Sequence, residues 1–486
     1  MSTITRRAFL GGTAAAGATA ALATTRPAHA SPGVLLSAAP TRDDWIAFAR
    51  TMDGAVLLPG STQYASAKLL FDTRYDGASP AAVVQVRSQA DVQRSMLFAA
   101  RYGLKVAPRS GGHSYIGASA ANGTMVLDTR QYASVSYNAS DGTALVFSGA
   151  GLYTVHSTLA ARGRTIPTGT CPTVGAAGLT LGGGLGVESR QWGVTSDRLS
   201  RVSLVLPDGR ALSASATSNA DLFWAVRGGG GGNVAFVTAM TFRTHTAGSK
   251  GIFSLTFPSS AGTKVLTGWA RWSLSAYYSR WANVHVDALG NGSISVRITG
   301  VTNAGDERAA ASSLISSIGV TPSAASYRQL GYLDAVKYLG GGTTSARQGF
   351  AAGSDILWTM PSDTAGQVLG AVAARSRAGG RGSAILDPLT GALNIPAASS
   401  TAFPWRDHLA SVQWYVGVGS SSGYTSAYSW INQAHQMLAG RSAGGYVNYL
   451  ESGQPASRYY AGNFSRLTSL RQTYDPSRRL YSGLSF

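Results

Sequence analysis

Pro108-Arg109-Ser110-Gly111-Gly112-His113-Ser114-Tyr115 opens a stretch that runs to Gly186. Gly169-Thr170-Cys171-Pro172-Thr173-Val174-Gly175-Ala176-Ala177-Gly178 and then Leu181-Gly182-Gly183-Gly184-Leu185-Gly186 close it. One histidine sits in a glycine turn, and the only cysteine of the chain sits in a second one. Glycines at this density let backbone N–H groups come close to a ligand, and successive N–H groups can cradle a pyrophosphate. Either run alone is also what an ordinary loop looks like. Their conjunction, with a histidine on one and a cysteine on the other, suits covalent attachment of a flavin.

Working outward, β-like segments flank both runs. Ala81 to Val86 alternates, Ser88 is an N-cap, and Gln89 to Tyr102 reads as a helix with Val92, Met96, Ala99 and Ala100 on one face. Gly103 stops it. Met125 to Asp128, Ala144 to Phe147 and Val202 to Leu206 read as strands, Leu152 to Arg162 as a helix with a structural His156, and Pro207-Asp208-Gly209-Arg210 as a hairpin turn. Past residue 246 glycine thins out, apart from Gly340-Gly341-Gly342. Ile252 to Phe257 and Ser293 to Thr299 read as strands, Arg308 to Ile318 and Ala427 to Ala439 as helices.

These motifs resemble the FAD-binding domain of the berberine bridge enzyme-like oxidases, a branch of the vanillyl-alcohol oxidase-type flavoproteins. That family carries R-x-G-G-H-S and G-x-C-P-x-V-G-x-x-G-x-x-x-G-G-G-x-G, which read here Arg109 to Ser114 and Gly169 to Gly186. Asp221 to Asn233 resembles its D-L-F-W-A-x-R-G-G-G-G-N, followed here by Val234-Ala235-Phe236-Val237-Thr238 where the family has a glycine after its aromatic. Tyr446-Val447-Asn448-Tyr449, Tyr459 to Leu467 and Tyr474-Asp475-Pro476 resemble its C-terminal motifs, with Glu451 in place of an aspartate.

The resemblance implies an α+β, two-domain flavoprotein: a split FAD-binding domain plus a substrate domain of antiparallel sheet flanked by helices. The implied borders are 1–30 for a leader, 31–245 for the FAD domain, 246–440 for the substrate domain, and 441–486 for a segment returning to the FAD domain. It implies FAD tethered twice, through the 8α-methyl to His113 and through C6 to Cys171. Arg109, Ser110, Gly111, Gly112, Ser114, Gly175, Gly178, Gly182, Gly183, Gly184, Val237, Asn448 and Asn463 are the other implied cofactor residues. Tyr449 is the implied base, with Tyr446 beside it and Gln413 as a candidate to steady the phenolate. Residues i and i+3 face opposite sides of a flat strand, so a bulge or strand end is needed for both tyrosines to reach one site. Val174 matches a position where a small residue admits oxygen, which favours an oxidase over a dehydrogenase.

Composition bounds the alternatives. The chain has 486 residues, 44% hydrophobic, with a net charge of +18 from 40 basic and 22 acidic residues. The basic residues are scattered, so a solvated basic surface is expected and nucleic-acid binding is the minor alternative. One cysteine excludes an intramolecular disulfide; unless cofactor attachment uses it, an inert buried thiol is the commoner fate. Seven histidines without close spacing to cysteine or carboxylates predict no metal. Thr5-Arg6-Arg7-Ala8-Phe9-Leu10 and Ala28-His29-Ala30 form a twin-arginine leader with an A-x-A cleavage pattern, too weakly apolar for a membrane anchor. The expected partners are a small-molecule substrate, molecular oxygen and the twin-arginine export machinery, and the expected location is outside the cytoplasm. The expected reaction is oxidation of an alcohol carbon of a carbohydrate or glycosylated natural product. Oxidative tailoring or cyclisation of secondary metabolites, a dehydrogenase with another acceptor, and a flavin-containing binding protein without turnover are the alternatives.

Overall fold

The computed structural model describes residues 39–486; the leader expected at 1–30 lies outside them. Among the described residues, no helix is long and apolar enough to cross a membrane. The architecture is α+β, with a four-stranded, a five-stranded and a small two-stranded sheet in one lobe and a seven-stranded sheet in the other.

The first sheet has four strands in the order Ala55–Leu57, Ala82–Gln85, Met125–Asp128, Val106–Arg109. The last three run parallel, with Val84 opposite Leu127 and Pro108 opposite Leu127 from the other side. A parallel pair needs a crossover, and the helix Gln89–Tyr102 supplies it. Ser88 Oγ caps its start by accepting from Asp91 N, and Gly103 ends it at φ 67°. Val92, Met96 and Ala99 point from this helix into a core shared with Trp45 and Phe48. The sheet thus delivers Arg109 at a strand end, where the His113 turn begins.

The second sheet is antiparallel, ordered Val135–Asn138, Thr143–Phe147, Phe236–Arg243, Leu199–Val205, Ala211–Ser215. The expected hairpin turn joins its last two strands, with Gly209 at φ 86°. A register shift between Val237 and Ala239 breaks the regular pairing beside Val237.

The third sheet holds seven antiparallel strands, ordered Ala324–Leu330, Lys250–Phe257, Ile294–Asn303, Trp281–Leu289, Arg381–Pro388, Ala410–Gly417, Phe350–Leu357. Successive side chains of a strand point to opposite faces. Ala282, Val284 and Val286 face a core filled by Leu266, Trp269, Val368 and Ile431 from three helices, as do Ala384, Leu386, Val412 and Trp414. The alternate residues therefore face away from these helices. The helix Tyr332–Gly340 stands apart from that layer and reaches the first lobe.

The C-terminal segment runs back to the first sheet. Val106 N donates to Arg479 O and Tyr481 N donates to Val106 O, both at 2.8 Å, so Leu480 lies as a parallel bridge beside Val106. Tyr446 and Tyr449 lie in neither a strand nor a bulge. Val447–Tyr449 is a turn of 3-10 helix, and at three residues per turn it brings i and i+3 to one side.

Candidate active site

A cavity of about 680 Å³ lies between the glycine loops and the free face of the seven-stranded sheet. That size falls within the roughly 300–1,000 Å³ of small-molecule and cofactor sites. Of the residues expected at the site, Arg109, Ser110, Gly111, Gly112, His113, Ser114, Cys171, Val174, Gly175, Gly178, Val237, Gln413, Tyr446, Asn448 and Tyr449 all border it.

The two loops lock together through their glycines. A Cβ on Gly111 would sit 2.2 Å from Gly175 N, and one on Gly175 would sit 2.1 Å from Ser110 Oγ. These glycines permit backbone-to-backbone contact between the loops, whereas a Cβ on Gly178 would enter open space at the cavity wall. Thr173 ties the loops a second time, its Oγ1 3.0 Å from His113 Nε2. Phe71 stacks on the His113 ring at 4.0 Å and 17°. Burial pushes His113 down to about 4, so its imidazole is neutral at physiological pH. Cys171 is exposed, yet the protein crowded around it raises its thiol above the ordinary value, with a hydrogen bond to Ser345 opposing the rise.

Several expected cofactor residues do other work. Gly182, Gly183 and Gly184 pack behind the cavity wall: their Cβ positions would strike Asn448, Phe403 and Thr195 at 2.1, 2.7 and 2.3 Å. They open room for those side chains and present the N–H groups of Gly184 and Leu185 to Tyr446 Oη at 3.0 and 3.2 Å. A run of glycines looks the same in sequence whether it admits a ligand or a neighbouring side chain. Asn463 donates through Nδ2 to Ala398 O and Thr401 O, which fastens the C-terminal segment to a loop of the second lobe. Arg109 turns its guanidinium into the core, where it pairs with Asp128 at 2.7 Å.

The two tyrosines are held differently. Tyr446 Oη accepts from Gly184 N, Leu185 N and Asn448 Nδ2, the last at 2.8 Å. Burial pushes it up to about 12 despite these three donors. Tyr449 is held by rings, lying 5.3 Å from Tyr115 at 12° and edge-on to Tyr446 at 5.0 Å. Burial raises it well above the ordinary tyrosine value. Gln413 was expected to steady a phenolate; instead its Nε2 donates to Tyr115 Oη at 2.6 Å, so it acts on Tyr449 only through the ring that Tyr449 stacks on.

Sequence reasoning missed the side-chain wall. Trp281, Asn283 and His285 alternate along one strand toward the cavity, joined by Ile385 and Asp387 from the next and Tyr415 from the one beyond. Asn283 Nδ2 lies 3.3 Å from both Asp387 Oδ1 and His285 Nε2. Burial pushes Asp387 up to about 6, with the Asn283 hydrogen bond opposing. The available signal was a polar residue at every second position, Asn283, His285 and Asp287, in an otherwise apolar strand.

Behind the Tyr446 turn lies a buried charge network. His435 bridges Asp355 at 2.7 Å and Glu451 at 2.6 Å, and Arg458 pairs with Asp355 at 2.9 Å. Burial alone would lower His435, but the two carboxylates override it and raise it to about 9. Glu451 accepts from Ser354 N, and Ser354 Oγ accepts from Tyr446 N, so the network anchors the tyrosine turn to the sheet.

Residues 80–215 match the family described as FAD binding domain, and residues 445–482 match the family described as berberine and berberine like. Over 449 residues the chain is 27% identical to an uncharacterized FAD-linked oxidoreductase, YvdP, of Bacillus subtilis (strain 168), covering 87% of this chain and 96% of that protein. It is 28% identical over 470 residues to a carbohydrate oxidase of Microdochium nivale, covering 87% and 91%. The crystal structure of carbohydrate oxidase from that organism superposes with a TM-score of 0.80 at 26% identity over 90% of this chain and 98% of the other. The Physcomitrella patens BBE-like 1 structure shares the fold with a TM-score of 0.83 at 24% identity, covering 91% and 98%. The two matched segments are the ones that meet at the cavity from opposite ends of the sequence, and the chain carries an FAD binding domain and a berberine-like segment, as FAD-linked oxidoreductases similar to it do.

Proposed function

We propose that the protein is an exported oxidase that converts an alcohol carbon of a carbohydrate, or of a glycosylated natural product, to the carbonyl and reduces O2 to hydrogen peroxide. The observation that carries this reading is the pairing of Tyr449 and Asp387 at one cavity whose other wall holds a neutral histidine and a thiol. The residues present fit FAD: His113 and Cys171 are the two attachment points, and Gly178, Val237 and Asn448 border the space it would fill. When bound, FAD supplies the redox step, accepting hydride from the alcohol carbon at N5 and passing the electron pair to O2.

The chain's own residues handle the proton. Tyr449 Oη takes the substrate O–H proton as the C–H bond breaks. With its pKa raised well above ~10, a resting phenolate is disfavoured, so the proton must move onward as it arrives. Asp387 is the group suited to receive it, because it shares the cavity and is ionised above about pH 6. Tyr446, with its oxygen fixed by three donors, holds the turn that carries Tyr449. Val174 at the cavity wall is the candidate gate for O2.

Trp281 and Tyr415 interleaved with Asn283, His285 and Gln413 suit a polyhydroxylated substrate, since aromatic faces cover sugar C–H surfaces while polar groups take the hydroxyls. Relatives named carbohydrate oxidase and xylooligosaccharide oxidase, the latter from Thermothelomyces thermophilus, support the same class. The leader pattern at Arg6-Arg7 supports export through the twin-arginine route. The test is a visible spectrum before and after acid precipitation, followed by aerobic mixing with a panel of sugars and alcohols. Colour that stays with the precipitate, bleaching with a sugar and peroxide release are expected. A colourless protein, or flavin free in the supernatant, refutes the tethers; retained colour without bleaching by any sugar or alcohol refutes the substrate class.

A further inference from the structure

The helix Tyr332–Gly340 belongs to the second lobe, yet its start reaches the loop that carries Cys171 through His156 and its end meets that loop directly. At its start, Tyr332 Oη lies 2.5 Å from Thr165 Oγ1 and 2.9 Å from His156 Nδ1. His156 Nε2 in turn lies 3.2 Å from Gly169 O and 3.0 Å from Thr168 Oγ1. Gly169 O can only accept, so Nε2 carries the hydrogen; Nδ1 then accepts from the Tyr332 hydroxyl, which accepts from Thr165. Burial keeps His156 neutral, in agreement with that single tautomer. The chain of hydrogen bonds ends on the carbonyl two residues before Cys171.

At the other end, Gly340 meets the loop without a side chain. A Cβ there would lie 2.3 Å from Thr170 O and 3.4 Å from Pro172 Cδ, the two neighbours of Cys171. Gly341, at φ 75°, then ends the helix, and Ser345 beyond it opposes the rise of the Cys171 thiol. The opposite side of the loop is fixed by Tyr153 N donating to Pro172 O at 3.1 Å and Leu152 N donating to Val174 O at 2.9 Å. Cys171 is therefore clasped between a helix of its own lobe and a helix of the other.

We infer that the helix Tyr332–Gly340 is the positioning element for the cysteinyl attachment: Tyr332, acting through His156, and Gly340, by direct backbone contact, set where Cys171 Sγ meets the ring. The inference rests on the reading that Cys171 binds FAD. Attachment exchanges one S–H and one ring C–H for an S–C bond, and O2 takes the two electrons and two protons as hydrogen peroxide. Sulfur must reach one ring carbon, so a small shift of the loop is costly in a way that cofactor binding is not. His113, on the other loop, is not touched by this helix and reports whether the cofactor site itself survives.

The test is site-resolved. Full-length wild type, Gly340→Ala and Tyr332→Phe are purified with their cofactor and digested, and the flavin on the His113 and Cys171 peptides is measured by mass spectrometry. Wild type is expected to carry both links. Gly340→Ala should lower occupancy of Cys171 at least tenfold and leave His113 within twofold of wild type. Tyr332→Phe, which keeps the ring, should shift the same ratio by a smaller factor. Both variants with wild-type occupancy at Cys171, or both losing the two links in parallel, overturn the inference alone. Wild type without flavin on Cys171 overturns the attachment reading and the inference with it.

Discussion

The cavity has two walls built on different principles. The glycine-loop wall is mostly backbone, and its shape is set by contacts such as Gly111 against Gly175, where no Cβ fits. The sheet wall is mostly side chains, Trp281, Asn283, His285, Asp387 and Gln413, each free to change without moving the strand beneath it. Backbone walls suit a ligand that never varies, and side-chain walls suit one that does. The first should tolerate almost no substitution and the second many, with effects confined to binding preference or proton transfer.

The sharpest way to break this comparison is Gly175→Ala. Its Cβ would lie 2.1 Å from Ser110 Oγ and 2.2 Å from Gly111 N, so the loops must separate. Flavin per protein, read by absorbance, is expected to fall more than tenfold, whereas Ile385→Ala on the sheet wall should retain it fully. Equal retention by both would erase the distinction. Next in size, Tyr449→Phe should lower kcat by about 10²–10⁴, the usual contribution of a proton-transfer group, with flavin content unchanged. Near-normal turnover would move the base elsewhere.

Asp387→Asn sharpens the comparison within the sheet wall. With Asp387 pushed up to about 6, wild-type kcat should rise with pH through about 6 as the carboxylate loses its proton; the variant should be slower and lack that limb. An unchanged limb would assign it to another group. The smallest effect is expected behind the site. His435 is raised to about 9, so its ion pairs contribute stability that is fully present below an ordinary histidine pKa of ~6.5 and is lost as pH rises through about 9. The Tm gap between wild type and His435→Gln should be widest near pH 6 and close above pH 9. A gap that is constant with pH would mean the histidine acts by packing alone.

The same contrast explains what was legible in the sequence. His113 and Cys171 could be placed because interlocked loops fix residue spacing, and spacing is what a sequence records. Ser88, Gly103 and the hairpin at Gly209 were legible for a related reason, since cap and turn chemistry is local. Asp387 and His285 were hidden because alternate residues of the seven-stranded sheet enter either the cavity or a helix-covered core, and alternation does not say which. Tyr446 and Tyr449 looked like strand residues because the 3-10 turn that unites them is held by Ser354 from a distant strand. Gly182 to Gly184 had the composition of a cradle and the job of seating Asn448, Phe403 and Thr195. Gln413 faces the expected cavity but meets Tyr115, a partner that only tertiary structure supplies.

Leu480 completes the edge beside Val106, and Tyr481, Ser482 and Leu484 line the cavity at the end of the chain. A ribosome therefore delivers the attachment loops early and the residues that close over them last. While translation continues, the growing polypeptide holds a histidine and a cysteine in place of a finished pocket. Domains fold largely in the order they are made, but this one can be sealed only once Leu484 has been made and has left the ribosome. A chain cut short anywhere before Leu480 would carry His113 and Cys171 and still lack part of the cavity wall.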